Sequence, residues 1–280
     1  MTRLARFVST GAMQIVLMAI ALFWLLPVFV LFIQSLRSSG EIANSGWWTA
    51  LANPSSLMVD NYRALLENPD IIRSFWNTVY ITVPTTILVV AIAAGAAYAL
   101  SWIKFRGRDT LLLIVVGLLV VPLQIALIPL ARLFGDLGLF GTIPGVVLFH
   151  VGFGLPFAIF LLRNFFVGVP RELFESARVD GANDLIIFAR ILIPLALPAI
   201  ASLTIFQFLW VWNDLLIAMV FADPASAPLT AAIQRQTRAF GQNVDVIAPG
   251  AFLQMVVPLF VFFAFQRYFV QGILGGAVKG

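Results

Sequence analysis

The sequence predicts an all-α membrane protein of six transmembrane helices, and three observations carry that prediction. Of 280 residues, 61% are hydrophobic and only 11% charged, whereas a soluble domain carries about 25% charged residues. The mean hydropathy is +1.00. The apolar residues fall into runs of the length a helix needs to cross a bilayer, about 20 residues, and the charges collect between them. The same composition removes several function classes. No basic cluster is denser than Lys104-Phe105-Arg106-Gly107-Arg108, so no nucleic-acid partner is expected. The absence of cysteine excludes disulfides, iron–sulfur ligation and thiol chemistry. A single histidine, His150, leaves no histidine-cluster metal site.

Taken in order, the first apolar run covers about 12–36, after Arg3 and Arg6. It is longer than the roughly 7–15 residues of a signal-peptide core and no small-x-small site closes it, so it reads as an uncleaved transmembrane helix. Residues 37–76 are polar. Within them Gly46-Trp47-Trp48 fits either an interfacial anchor or ordinary aromatic packing. The second span, about 77–102, ends in AIAAGAAYAL. Small residues let membrane helices approach closely, which places this helix at the bundle centre. The third span, about 110–133, contains Pro122, Gln124 and Pro129. Prolines at that depth predict a kink whose freed carbonyls face protein or a cavity.

The fourth span covers about 143–162 and holds His150, Gly152, Gly154 and Pro156; the histidine is expected to be packed and hydrogen-bonded rather than a ligand. The fifth covers about 195–222 and the sixth about 249–269, with a polar loop at 223–248 and a tail at 270–280. The whole, 1–280, reads as one domain whose core bundle lies at about 77–270. With the N-terminus inside, eleven Lys and Arg fall on the inner side and six on the outer, the latter being Arg37, Arg63, Arg73, Arg132, Arg235 and Arg238. The positive-inside rule then puts both termini in the cytoplasm.

One charged stretch between the fourth and fifth spans is not loop-like. Pro170 stands where a helix would begin, and Glu172 and Glu175 fall in its first turns, where carboxylates suit the positive end of the helix dipole. Leu173, Phe174 and Ala177 form an apolar side. Asp180-Gly181 breaks the helix. Asn183 and Asp184 then cap a second short helix bearing Ile187, Phe188 and Ile191, which is expected to end at Pro194. Two short amphipathic helices between membrane spans look built to dock.

The chemistry available is limited. Neither of the two lysines, Lys104 and Lys279, follows a glycine, so the phosphate-binding motif GxxxxGK[ST] is absent. Any ATP, with its Mg, is expected in another subunit, and this chain is expected to be neither an enzyme nor a cofactor protein. Asp214 is the one carboxylate well inside an expected span. It shares a helical face with Gln207 and Trp210 by their i, i+3, i+7 spacing. A charge there costs about 3 kcal/mol on insertion scales and should face a partner or water. Gln124, Gln207, Trp210, Asn213 and Asp214 are the candidates for a substrate path; the competing reading of Asp214 is a hydrogen bond to neighbouring helices. A different class of function, an ion-coupled secondary transporter, would rest on Asp214 alone.

Glu175-Ser176-Ala177, three residues, Gly181, nine residues, Ile191-Leu192-Ile193-Pro194 resembles the "EAA" loop of permease subunits of binding-protein-dependent ABC importers, E-A-A-x3-G-x9-I-x-L-P. Ser176 replaces the first alanine and Ile193 the leucine. Trp212-Asn213-Asp214-Leu215 resembles the fifth-span motif of carbohydrate permeases of the maltose type, and Gly275–Gly280 resembles that group's tail. Val121–Pro129, Ser45–Trp48 and Glu175–Gly181 look most like α-glucoside permeases. The resemblance implies a second permease subunit, a dimeric ABC ATPase below the membrane and an extracytoplasmic solute-binding protein that delivers a carbohydrate. It implies an inner-membrane location. It assigns Glu175, Ser176, Ala177, Asp180, Gly181, Ala182 and Lys279 to ATPase coupling. The loop with Gln234, Arg235, Gln242 and Asn243 would meet the binding protein.

Overall fold

A computed structural model describes residues 3–237 and 244–277, with side chains at 11, 13–236 and 246–266. The helices are α1 Arg3–Ser35, α2 Ser39–Asn44, α3 Thr49–Ala52, α4 Asp60–Glu67, α5 Pro69–Trp102, α6 Arg108–Leu118, α7 Leu123–Asp136, α8 Ile143–Val167, α9 Arg171–Val179, α10 Asp184–Ile187, α11 Ile193–Trp212, α12 Leu216–Phe221, α13 Leu229–Thr237 and α14 Val244–Ala277. Among the described residues, five helices are long and apolar enough to cross a membrane, and the bent pair α6 and α7 makes six if it forms one span. The all-α, six-span reading holds in that form.

The chain falls into two compact units, Met1–Ile72 with Ile233–Leu253, and Arg73–Ala232 with Gln254–Gly280. In the first, the segment after α1 folds back on its end. Arg37 is fully buried and its guanidinium donates to Gln34 Oε1 (3.0 Å), to the carbonyls of Glu41 (2.9 Å) and Ser45 (3.3 Å), and to the Ser45 hydroxyl. Asn61 donates to the carbonyls of Ser35 and Arg37, so the polar segment is tied down. Arg37 thus acts as a knot of the fold, which its place in a charge count does not reveal. Trp47 packs edge-on against Phe29 (6.1 Å between ring centres) while Trp48 is 63% exposed.

The second unit carries the main core. Val89, Ala93 and Ala97 of α5, Ala158, Leu162 and Phe166 of α8, and Ala196, Ala199 and Leu203 of α11 are buried together. Lipid tails are as apolar as these side chains, so close packing rather than water exclusion holds membrane helices together. The small residues at 93, 94 and 97 permit it, as the sequence predicts for this helix. Three threonines of α5 bond within their own helix: the hydroxyls of Thr78, Thr85 and Thr86 donate to the carbonyls four residues back, at 2.6–2.9 Å.

Four expectations are corrected. The third span is broken rather than kinked, with α6 and α7 meeting at 100°. Pro122 precedes α7 in an extended conformation and ends the preceding helix, because a proline disfavours helical backbone just before it and offers no N–H. The helix after Asn183 does not end at Pro194. It passes through a π-helical turn, Phe188–Leu192, straight into α11. The Ile193 N–H reaches back to the Phe188 carbonyl, and this wide turn absorbs the donor that Pro194 lacks. The fifth span is interrupted at Asn213–Leu215. Finally, 223–248 is not a solvated loop at its start. Ser226, Ala227, Leu229 and Ala231 are buried. Asn77 donates to the carbonyls of Ala225 and Ala227, and Leu229 N–H donates to Thr78 Oγ1. These bonds satisfy a backbone that would otherwise be costly to bury.

Candidate functional site

The hairpin between α8 and α11 follows from local chemistry. α9 has Glu172 in its first turn and Arg178 in its last, the arrangement its dipole favours. It closes with the Gly181 N–H on the Arg178 carbonyl (3.0 Å) and the Ala182 N–H on the Ala177 carbonyl (2.9 Å). This is a Schellman cap, whose residue at Gly181 takes φ +86°. The spacing Ala177-x3-Gly181-Ala182 is therefore a folding instruction. Gly181 supplies the left-handed turn, and Ala177 and Ala182 pack on the buried core as the cap's apolar contact. Asn183 starts α10 by accepting the Ile186 N–H (2.9 Å).

The hairpin has an inner and an outer face. Phe174 and Ile187 are buried, with Ala177, Phe188 and Ile191 packed partly against the core. Glu175, Ser176, Asp180 and Gly181 are exposed, as the assigned coupling residues would require, and Ala182 is half-buried. Lys279 lies outside the described residues. Two outer residues went unnoticed in the sequence. Val179 is 88% exposed and Leu185 is 73% exposed, one on each side of the turn. Val179 sits about 140° around the helix from Phe174 at 3.6 residues per turn, and that offset was the available signal. Leu173, assigned to the apolar side, is also exposed. Arg178 bridges to Asp184 across the turn at 3.0 Å. That hydrogen bond holds the guanidinium above its ordinary pKa. The pair is half-exposed and orders the turn more than it stabilises the fold.

The substrate-path candidates separate into three places. Gln207 and Trp210 line a cavity of about 340 Å³ with Phe153, Gly154, Phe157 and Phe206, between α8 and α11. Gln207 is buried, and its amide nitrogen has no hydrogen-bond partner. A Cβ at Gly154 would lie 2.8 Å from that nitrogen, so the glycine makes room for the amide. Asp214 does not continue this face, because the helix ends at Trp212. Its carboxylate instead accepts the N–H groups of Ile217 (3.3 Å) and Ala218 (3.1 Å) and restarts the helix as α12. Thr230 donates to its carbonyl (2.7 Å). Asn213 is exposed and bonds back to Leu209, and Gln124 is exposed in the first turn of α7 and is not among the residues lining the cavity.

Asp214 also has a basic neighbour that the sequence did not reveal. His150 Nε2 lies 3.6 Å from its Oδ2. His150 is buried, its Nδ1 lies 2.9 Å from the Val146 carbonyl, and its Nε2 has no hydrogen-bond partner. A carbonyl only accepts, so Nδ1 carries the ring proton. The expected packed histidine is found. Asp214 is occupied with capping, and nothing in this arrangement favours an ion-coupled transporter.

Among the described residues the chain is a set of helices, five or six spans' worth of them apolar enough to cross a membrane, with a capped hairpin between two of those spans. The model of the family of binding-protein-dependent transport system inner membrane components matches residues 87–275, and the chain belongs to that family. It is 46% identical to the osmoprotective compounds uptake permease protein GgtD of Synechocystis sp., over 95% of this chain and 91% of that one. It is 49% identical to the alpha-glucoside transport system permease protein AglG of Rhizobium meliloti, over 87% of this chain and 66% of that one. Among solved structures it resembles a chain of a bacterial ABC transporter involved in import of the acidic polysaccharide alginate. The TM-score is 0.76 at 25% identity, covering 96% of this chain and 99% of that one.

Proposed function

We propose that the chain is one of two permease subunits of an ATP-driven, binding-protein-dependent importer of carbohydrates, with α-glucosides or related oligosaccharides as the cargo. The observation that carries this is the hairpin: a Schellman-capped turn that leaves Val179, Leu185 and Glu175 exposed, on a chain of the permease family. The exposed apolar pair would enter a cleft of a dimeric ABC ATPase, and Glu175 would accept a charge-assisted bond from it. ATP and Mg would be held by that ATPase, and this chain would contribute no catalytic group. Both termini and the hairpin would face the cytoplasm. The exposed apolar length of α1 suits lipid or the second permease. Outside, α13 with Gln234 and Arg235 would approach the solute-binding protein; Gln242 and Asn243, assigned with them, lie outside the described residues.

The carbohydrate class rests on the relatives' names and on the cavity. Aromatic rings beside an unpartnered amide suit a sugar ring, which offers both C–H faces and hydroxyls. Gln207 and Trp210 would then wall the path. The test is uptake of radiolabelled maltose, trehalose and sucrose in cells with and without the chain, under ATP depletion and under collapse of the ion gradients. The proposal expects that deletion abolishes uptake of at least one sugar and that ATP depletion stops it. Uptake that survives ATP depletion and fails with the gradient would overturn it.

A further inference from the structure

We infer that Tyr98 and Trp102, on the last two turns of α5, are the positioning residues that tie the coupling hairpin to the transmembrane core. They lie four residues apart and so share one face of the helix. Each takes hold of a different limb of the hairpin. The Trp102 ring packs against Phe174 of α9, tilted at 47° with ring centres 4.2 Å apart, and its Nε1 donates to the Phe166 carbonyl at the end of α8 (3.2 Å). The Tyr98 hydroxyl donates to Asp184 Oδ1 of α10 (3.1 Å), and its ring lies 5.3 Å from Phe188 in the π-helical turn.

Asp184 is a shared acceptor. The same Oδ1 that receives Tyr98 also receives Arg178 from the other limb (3.0 Å). One oxygen therefore closes the hairpin on itself and fastens it to α5. Beneath it, Phe174, Ile187, Phe166 and Tyr98 are all nearly or fully buried. A displacement of the exposed tip cannot be absorbed by the hairpin alone, because both limbs are clamped to α5. It must move the end of α5, whose small-residue stretch packs in the bundle core. Packed interfaces of this kind shift between discrete arrangements instead of deforming smoothly.

This inference rests on the proposed coupling role, and its test separates the two. The complete transporter, purified with its second permease and ATPase and reconstituted with binding protein, is assayed for ATP hydrolysed per maltose transported. Tyr98→Phe removes one hydroxyl and keeps the ring. The complex should assemble at wild-type yield, while ATP consumed per sugar rises about three- to ten-fold, as loss of a hydrogen bond to a half-exposed carboxylate implies. Asp184→Ala should lower coupling at least as far, since it removes the Tyr98 acceptor together with the Arg178 pair, and adding Tyr98→Phe to it should cost nothing further. Trp102→Ala should uncouple and Trp102→Phe should restore most of the coupling. Wild-type stoichiometry in Tyr98→Phe, or losses that add in the double variant, would overturn the inference. If the unmodified chain assembles with no ATPase, the coupling role itself has failed.

Discussion

The turn at Asp180-Gly181 and the break at Asn213–Leu215 stop a helix and restart it with related chemistry, yet they lie in opposite surroundings. In the first, the Asn183 amide caps the new helix and the turn is exposed. In the second, the Asp214 carboxylate caps it beside buried His150. At the hairpin the backbone groups of the turn are satisfied within a few residues, and its outer face stays exposed. At the break, polar groups come from three separate stretches: His150 on α8, Thr230 at the start of α13, and Asp214 itself. A local interruption leaves an exposed tip; a shared one makes a junction of the fold.

The sharpest way to break this comparison is at the tip. Replacing Val179 and Leu185 together by aspartate should abolish uptake while membrane insertion and expression stay at wild-type level. If uptake survives, the exposed apolar pair is not the docking surface. The next effect belongs to the buried break. Asp214→Ala removes two capping bonds, a loss of about 1–2 kcal/mol, and should lower the melting temperature of the purified complex by several degrees. Asp214→Asn keeps one of the two acceptor oxygens and should recover about half of that stability; an equal loss in both would mean that the second oxygen or the charge is required.

Gly181→Ala comes third. The added methyl meets nothing within 4 Å, so the penalty is backbone strain alone, about 1–2 kcal/mol at positive φ. Uptake should fall a few-fold with insertion unchanged, and wild-type uptake would show that the left-handed turn is dispensable. The smallest effect is Asn183→Ala, the exposed counterpart of Asp214→Ala. It should cost about 0.5–1 kcal/mol and leave the melting temperature nearly unmoved. A shift as large as that of Asp214→Ala would remove the distinction between the two sites.

The spans, the hairpin and its caps were legible because each is decided within a few residues. A run of apolar side chains needs a bilayer, and Ala177-x3-Gly181-Ala182 needs only its own backbone to close. The failures are as instructive. The face drawn through Gln207, Trp210 and Asp214 assumed an unbroken helix, and periodicity carries no mark of where a helix lets go. Residues 223–232 looked polar because Asp223 and Ser226 are polar, although Asn77 and Thr78 receive this segment from 148–151 positions away.

The sequence by itself determined that this is a helical membrane protein of five or six candidate spans with a capped hairpin between two of them, because composition and short-range hydrogen bonding are properties of neighbours along the chain. Only the tertiary structure decided that Tyr98 meets Asp184 across 86 residues, that Trp102 packs against Phe174 and that His150 faces Asp214. Those contacts depend on how α5, α8 and α11 pack. In a bilayer that packing turns on close fit between side chains that are nearly all apolar, and a string of similar apolar residues does not state which of them will touch.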